Sequence, residues 1–127
     1  MSVTYKQLVF DFPAITRQLN AIKGFEKTKE AEVIELISES VNEQAQKYNK
    51  ELLKLKIRLA NKDKNGSVLK SEQGEYLFNE EGELALIEKA DELVNTEVEG
   101  FEPIIIEPTE ELNLSESIKK VFKGIIY

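Results

Sequence analysis

The sequence contains no Cys, no His and no Trp. Without Cys there is no disulfide framework, no thiolate metal site and no thiol nucleophile. Without His the commonest general base and the commonest transition-metal ligand are gone. The chain has no G-x-G-x-x-G, no G-x-x-x-x-G-K-[ST] and no G-x-S-x-G, so dinucleotide binding, P-loop chemistry and serine hydrolysis have no motif to rest on. No 18 consecutive residues are apolar, and no basic leader precedes an apolar run at the amino end; the expectation is a protein that stays in the cytoplasm where it is made.

Charge of one sign is scarce as well. Lys and Arg number 17 against 24 Asp and Glu, a formal net charge of -7. Binding to a phosphate backbone or an anionic lipid surface relies on releasing cations from a negative partner, so neither nucleic acid nor membrane is expected as a partner. A chain of 127 residues corresponds to one folding unit, and residues 1–127 are read as a single helical domain.

The strongest positive signal runs from about Glu26 to Asn61, more than thirty residues without Gly or Pro. Ile34, Val41, Tyr48 and Leu55 recur every seven positions, and Ile37, Ala45, Leu52 and Leu59 widen the line into a stripe. That pattern predicts one long helix. Leu36, Leu53 and Ile57 lie off the stripe and suggest a second covered flank. Upstream, Thr4 and Gln7 have capping-box spacing, Pro13 interrupts, and a fresh helical start is expected near Asp11. From there Ile15, Leu19 and Ile22 share one face and Gly24 stands where a left-handed cap would end the run.

Asn61 to Gly66 is dense in turn formers. Val68, Leu69, Tyr76 and Phe78 then predict a short β-hairpin broken at Gly74. Asn79 can cap a helix with Glu80, Glu81 and Glu83 in its first turn, running to about Asn95 with Leu84, Ile87, Ala90, Leu93 and Val94 as its apolar face. Phe101 and the β-branched run Ile104, Ile105, Ile106, set between two prolines, predict an extended segment. It either joins the hairpin as an internal strand or offers an edge to a partner. Ser115 starts a last helix whose Ile118, Val121, Phe122 and Ile125 should dock with Ile126 and Tyr127.

Charge is segregated. From Lys47 to Lys64 seven basic residues face only Glu51 and Asp63, whereas from Glu72 to Glu111 fourteen acidic residues face Lys89 alone. Antiparallel pairing of the end of the long helix with the Asn79 to Asn95 helix would put the opposite signs side by side. The fold class expected is therefore mainly α: a long-helix bundle or helical hairpin with a short β-hairpin and one extended segment.

No constellation carries chemistry. Glu80, Glu81 and Glu83 are what a helix start favours, and Asp63-Lys64-Asn65-Gly66 fails the EF-hand pattern because Gly is fourth and Gly74, not Glu, is twelfth. The basic stretch from Lys47 places its cations on different sides of a helix. No catalytic residue, cofactor site or metal ligand is assigned.

Lys62-Asp63-Lys64-Asn65-Gly66, Gly74-Glu75-Tyr76-Leu77-Phe78, Glu97-Val98-Glu99, and Glu102-Pro103-Ile104 leading to Leu112 and Leu114 together carry a resemblance. In this order of parts, from about Thr4 onward, the chain resembles a family of small proteins of unknown function in tailed bacteriophages and prophages, and departs from it at the Phe12-Pro13 break. The resemblance implies a phage-encoded, non-enzymatic protein and assigns no functional residues. Joined to the residue-level reading, it leads to an expected interaction module. This would be a minor virion or assembly component or an assembly chaperone, oligomeric, in the host-cell cytoplasm or incorporated in the virion. Its expected partners are itself and phage assembly proteins, and its binding residues Leu36, Leu53, Ile57, Phe101, Ile104, Ile105 and Ile106. The alternative is a host-directed acidic inhibitor or regulator acting through the Glu72 to Glu111 block.

Overall fold

The computed structural model describes residues 3–127, Glu111 by its backbone alone. The chain is mainly helical: α1 is Phe12–Asn20, α2 Lys29–Leu59, α3 Glu80–Val94 and α4 Glu116–Phe122. A π-helical turn at Lys6–Asp11 runs straight into α1. The helix does not break and restart at Asp11, because that residue keeps helical dihedrals. Instead the hydrogen-bond register widens, with the Phe12 N–H reaching the Gln7 carbonyl. Pro13 has no N–H and its ring crowds the carbonyl four residues back, so a widened turn lets the chain pass through it. The capping box is half formed. Thr4 Oγ1 accepts from the Gln7 N–H at 3.2 Å, while the Gln7 side chain donates to the Val121 and Lys123 carbonyls instead.

Gly24, at φ 89°, turns the chain toward α2, a left-handed conformation that costs glycine little. Thr28 then caps α2, its Oγ1 accepting from the Ala31 N–H. At about 1.5 Å per residue, the 31 residues of α2 make a rod about 46 Å long. Ile34, Ile37, Val41 and Tyr48 of the stripe are buried, and Ala45, Leu52, Leu55 and Leu59 are half-buried. Leu36, Leu53 and Ile57 are exposed, so the second covered flank expected from the sequence is not formed within the chain.

The core gathers at the first half of this rod. Val3, Leu8, Phe12, Leu19, Phe25, Val33, Phe122, Ile125 and Ile126 close around Val41 and the residues before it. Phe122 meets Phe12 edge-on at 5.6 Å and Tyr127 at 5.4 Å between ring centroids. Ser115 caps α4 as expected and the last segment docks, Phe122, Ile125 and Ile126 being fully buried.

The segment from Asn61 to Phe78 corrects a second expectation. Among the described residues there is no strand; Lys62 pairs with Val68 and Lys70 with Tyr76 only as isolated bridges. Two tight turns follow each other, at Asp63–Gly66 and Ser71–Gly74. The legs between them are too short to extend a ladder. The residues Phe101 to Ile106 also form no strand, but lie extended along the last segment, with the Ile104 and Ile106 N–H groups donating to the Ile125 and Ile126 carbonyls. The segment therefore joins no hairpin: Phe101 and Ile106 turn toward the core, and Ile104 and Ile105 stay exposed.

α3 packs back along the far half of α2. Its amino end meets Leu59, and its carboxyl end hands Thr96 to Tyr5, whose N–H donates to the Thr96 carbonyl at 3.1 Å. Tyr5 stacks 5.7 Å from Tyr48 of α2, so the two helices run antiparallel. From Asn42 to Glu97 no residue joins the core cluster, and the two helices project from it as an arm.

Candidate interaction surface

Close approach of two helices demands small residues where they touch. On α3 the half-buried positions are Gly82, Ala85, Leu86, Ala90, Leu93 and Val94, at helical spacing on one side. A Cβ on Gly82 would stand 2.8 Å from the Leu59 carbonyl oxygen. The expected apolar face is therefore rotated: Ala90, Leu93 and Val94 belong to it, but Leu84 and Ile87 do not. These two are 63 and 62 % exposed, and α3 has no buried residue at all. A helix face wide enough for Leu84 and Ile87 would need a second neighbour, and the chain supplies only α2.

The arm thus displays apolar side chains on both helices: Leu53 and Ile57 on α2, Leu84 and Ile87 on α3, with Leu69 and Leu77 exposed in the connecting turns. Their surroundings differ in sign. Lys50, Lys54 and Lys56 lie three or four positions from Leu53 or Ile57, whereas Glu80, Glu81, Glu83, Glu88 and Asp91 stand at such spacings around Leu84 and Ile87. The expected charge pairing between the helices is not made. Every ion pair among the described residues joins positions three apart on one helix: Lys29 with Glu32, Lys54 with Glu51, Lys89 with Glu92 and Lys119 with Glu116.

The remaining residues singled out from sequence divide. Leu36 is 64 % exposed on the first half of α2, apart from the arm. Ile105 and the edge of Ile104 face outward, while Phe101 and Ile106 pack against the core. The structure brings Leu53 and Ile57 together and separates them from the Phe101 to Ile106 segment. Leu84 and Ile87 were missed as surface residues because a one-dimensional pattern cannot say which side of an amphipathic helix its neighbour will take.

Two other places were candidates for chemistry. Between α1 and the first half of α2 lies an apolar groove of about 330 Å³, walled by Val9, Phe12, Pro13, Ile34 and Val41, with Arg17 at its edge; it holds no titratable pair. The second is Glu30, fully buried at the start of α2. Its carboxylate accepts from the Thr109 N–H at 3.0 Å, from the Thr109 hydroxyl at 2.9 and 3.0 Å, and from the Tyr127 hydroxyl. Burial pushes the carboxyl up, but the hydrogen bonds from Tyr127 and Thr109 together outweigh it and hold the group below its ordinary value of 4.5. Burial, then the hydrogen bond and charge of Glu30, push the Tyr127 phenol well above 10.0. A satisfied carboxylate facing a locked phenol ties three segments together and leaves neither group free to exchange protons at neutral pH.

Compared with protein-family models, curated proteins and solved structures, the chain matches none. Among the described residues no helix is long and apolar enough to cross a membrane.

Proposed function

We propose that this chain is a non-enzymatic interaction module which binds other proteins through the α2–α3 arm. The observation that carries this reading is the exposure of Leu53, Ile57, Leu84 and Ile87 on a two-helix projection that lies outside the main core cluster. Four large apolar side chains held on rigid helices are the usual makings of an interface centre, and their charged surroundings supply a polar rim. The resemblance of the turn and extended-segment words to small phage proteins supports reading this binding as part of the assembly of a tailed phage or prophage. There the chain would act as a minor virion component or an assembly chaperone.

Affinity purification from infected or induced cells tests the reading. Virion or tail proteins should co-purify with the wild-type chain and be lost with the Leu53→Glu/Ile87→Glu variant; a chain that retains nothing in either form refutes it.

A second reading has an observation of its own. Of the acidic side chains on α3, only Glu92 is engaged in an ion pair among the described residues, leaving an acidic helix open to a basic host protein. Binding that collapses between low and high salt favours this inhibitor reading, whereas salt-insensitive binding favours the apolar one.

A further inference from the structure

From the geometry of the arm we infer that its partner is a second copy of this chain, the two arms closing into an antiparallel four-helix bundle. This rests on the reading of the arm as a binding surface and names its occupant. Gly82 stands against Leu59, and helices rise equally per residue. In the antiparallel pair, Ile57 is therefore level with Leu84 and Lys50 with Asp91, and Leu53 lies within one residue, about 1.5 Å, of the level of Ile87. Counted at about 100° per residue from the side of each helix facing the other, Leu53 and Ile87 are both turned past a right angle in the same sense. Because the helices are right-handed and run in opposite directions, that common sense brings both residues to the same side of the arm.

A two-fold axis parallel to the arm keeps every residue at its height and exchanges the two helices. It lays α2 of one copy on α3 of the other, Leu53 meeting the partner's Ile87 and the reverse, so the contact is made twice. Ile57 and Leu84 flank this centre. The same operation sets the basic surroundings of Leu53 and Ile57 against the acidic surroundings of Leu84 and Ile87, with Lys50 at the height of the partner's Asp91. Lys50 and Asp91, in no ion pair within the chain among the described residues, thus find their complements between chains. The other two-fold, perpendicular to the arm, would put Lys beside Lys and Glu beside Glu, and is disfavoured.

Analytical ultracentrifugation of the full chain tests this. The wild type should sediment as a dimer, and Leu53→Glu/Ile87→Glu should weaken dimerisation at least about 100-fold, since charges would be buried at the interface centre. Circular dichroism should stay unchanged because both positions are exposed. A sharper arm uses charge. Lys50→Glu sets an acidic group against the partner's Asp91 and Asp91→Lys a basic group against the partner's Lys50; each alone should weaken dimerisation, and a one-to-one mixture should restore the dimer. A wild type that stays monomeric, or a dimer indifferent to all these variants, overturns the inference. If the monomeric wild type still retains virion proteins through Leu53 and Ile87, the binding reading stands while the second copy is excluded.

Discussion

At the scale of single residues, Glu30 has the largest consequences. It occupies the second position of α2, where the helix dipole favours negative charge, and collects donors from Thr109 and Tyr127, which are 79 and 97 positions away. In the folded chain it ionises more readily than in the unfolded one, where its carboxyl sits near 4.5. The carboxylate therefore adds stability at pH above that value, and the gain vanishes as pH falls through the lower folded value. Urea titrations from pH 6 to pH 3 should show the wild type losing more stability than Glu30→Gln. Glu30→Ala, which strands the Thr109 and Tyr127 donors, should cost about 3 kcal/mol at neutral pH. Tyr127 works in the opposite direction. Its phenol is held protonated above the unfolded value of 10.0, so its contribution is full below pH 10 and is lost as pH rises beyond it. Tyr127→Phe should remove that alkaline loss while costing about 1.5 kcal/mol at pH 7. Equal acid sensitivity in wild type and Glu30→Gln would sink this account.

At the scale of elements, the starts of α3 and α4 were legible, the expected start at Asp11 was not found, and the helix faces were legible only in part. Thr28 was not singled out as a cap, but Asn79 and Ser115 were, because Asn and Ser side chains satisfy the first free N–H groups wherever tertiary contacts lie. The seven-residue stripe of α2 was readable for the same reason: its period belongs to the helix itself. The side α3 turns inward was not, since the choice of Gly82, Ala85 and Leu86 over Leu84 and Ile87 follows from how closely two backbones can approach. Nor could the sequence announce that the Val68 to Phe78 stretch stops at isolated bridges, because pairing depends on leg length between turns. Among the expected binding residues, Leu53 and Ile57 lie exposed on the arm while Phe101 and Ile106 pack half-buried against the core, their apolar character being equally consistent with either fate. Gly82 makes the element-scale argument testable. Gly82→Ala gains helix propensity of about 1 kcal/mol, yet its methyl group would press on the Leu59 carbonyl, which cannot rotate away. The variant should lose amide-exchange protection in α3 and the end of α2 while α1 and α4 keep theirs. Protection raised throughout α3 would show that the close approach is not needed.

At the scale of the molecule, a core and an arm share one long helix but different sources of stability. Phe122→Ala, which empties a fully buried site against Phe12, should lower global stability by about 3 to 5 kcal/mol. The arm, with Leu53 and Ile87 in water and no buried residue on α3, gains little inside one chain and should open at lower free energy than the core. Association of two arms as inferred above would change this, because a contact made only by folded chains stabilises them by mass action. The melting temperature should therefore climb with protein concentration. Leu53→Glu should abolish that dependence and keep the value that the wild type approaches on dilution, for its side chain touches no core. A melting temperature of the wild type that is flat across concentration would mean the arm has no partner among its own kind. A Leu53→Glu melting temperature far below the dilute wild-type value would mean that Leu53 supports the fold of the single chain after all.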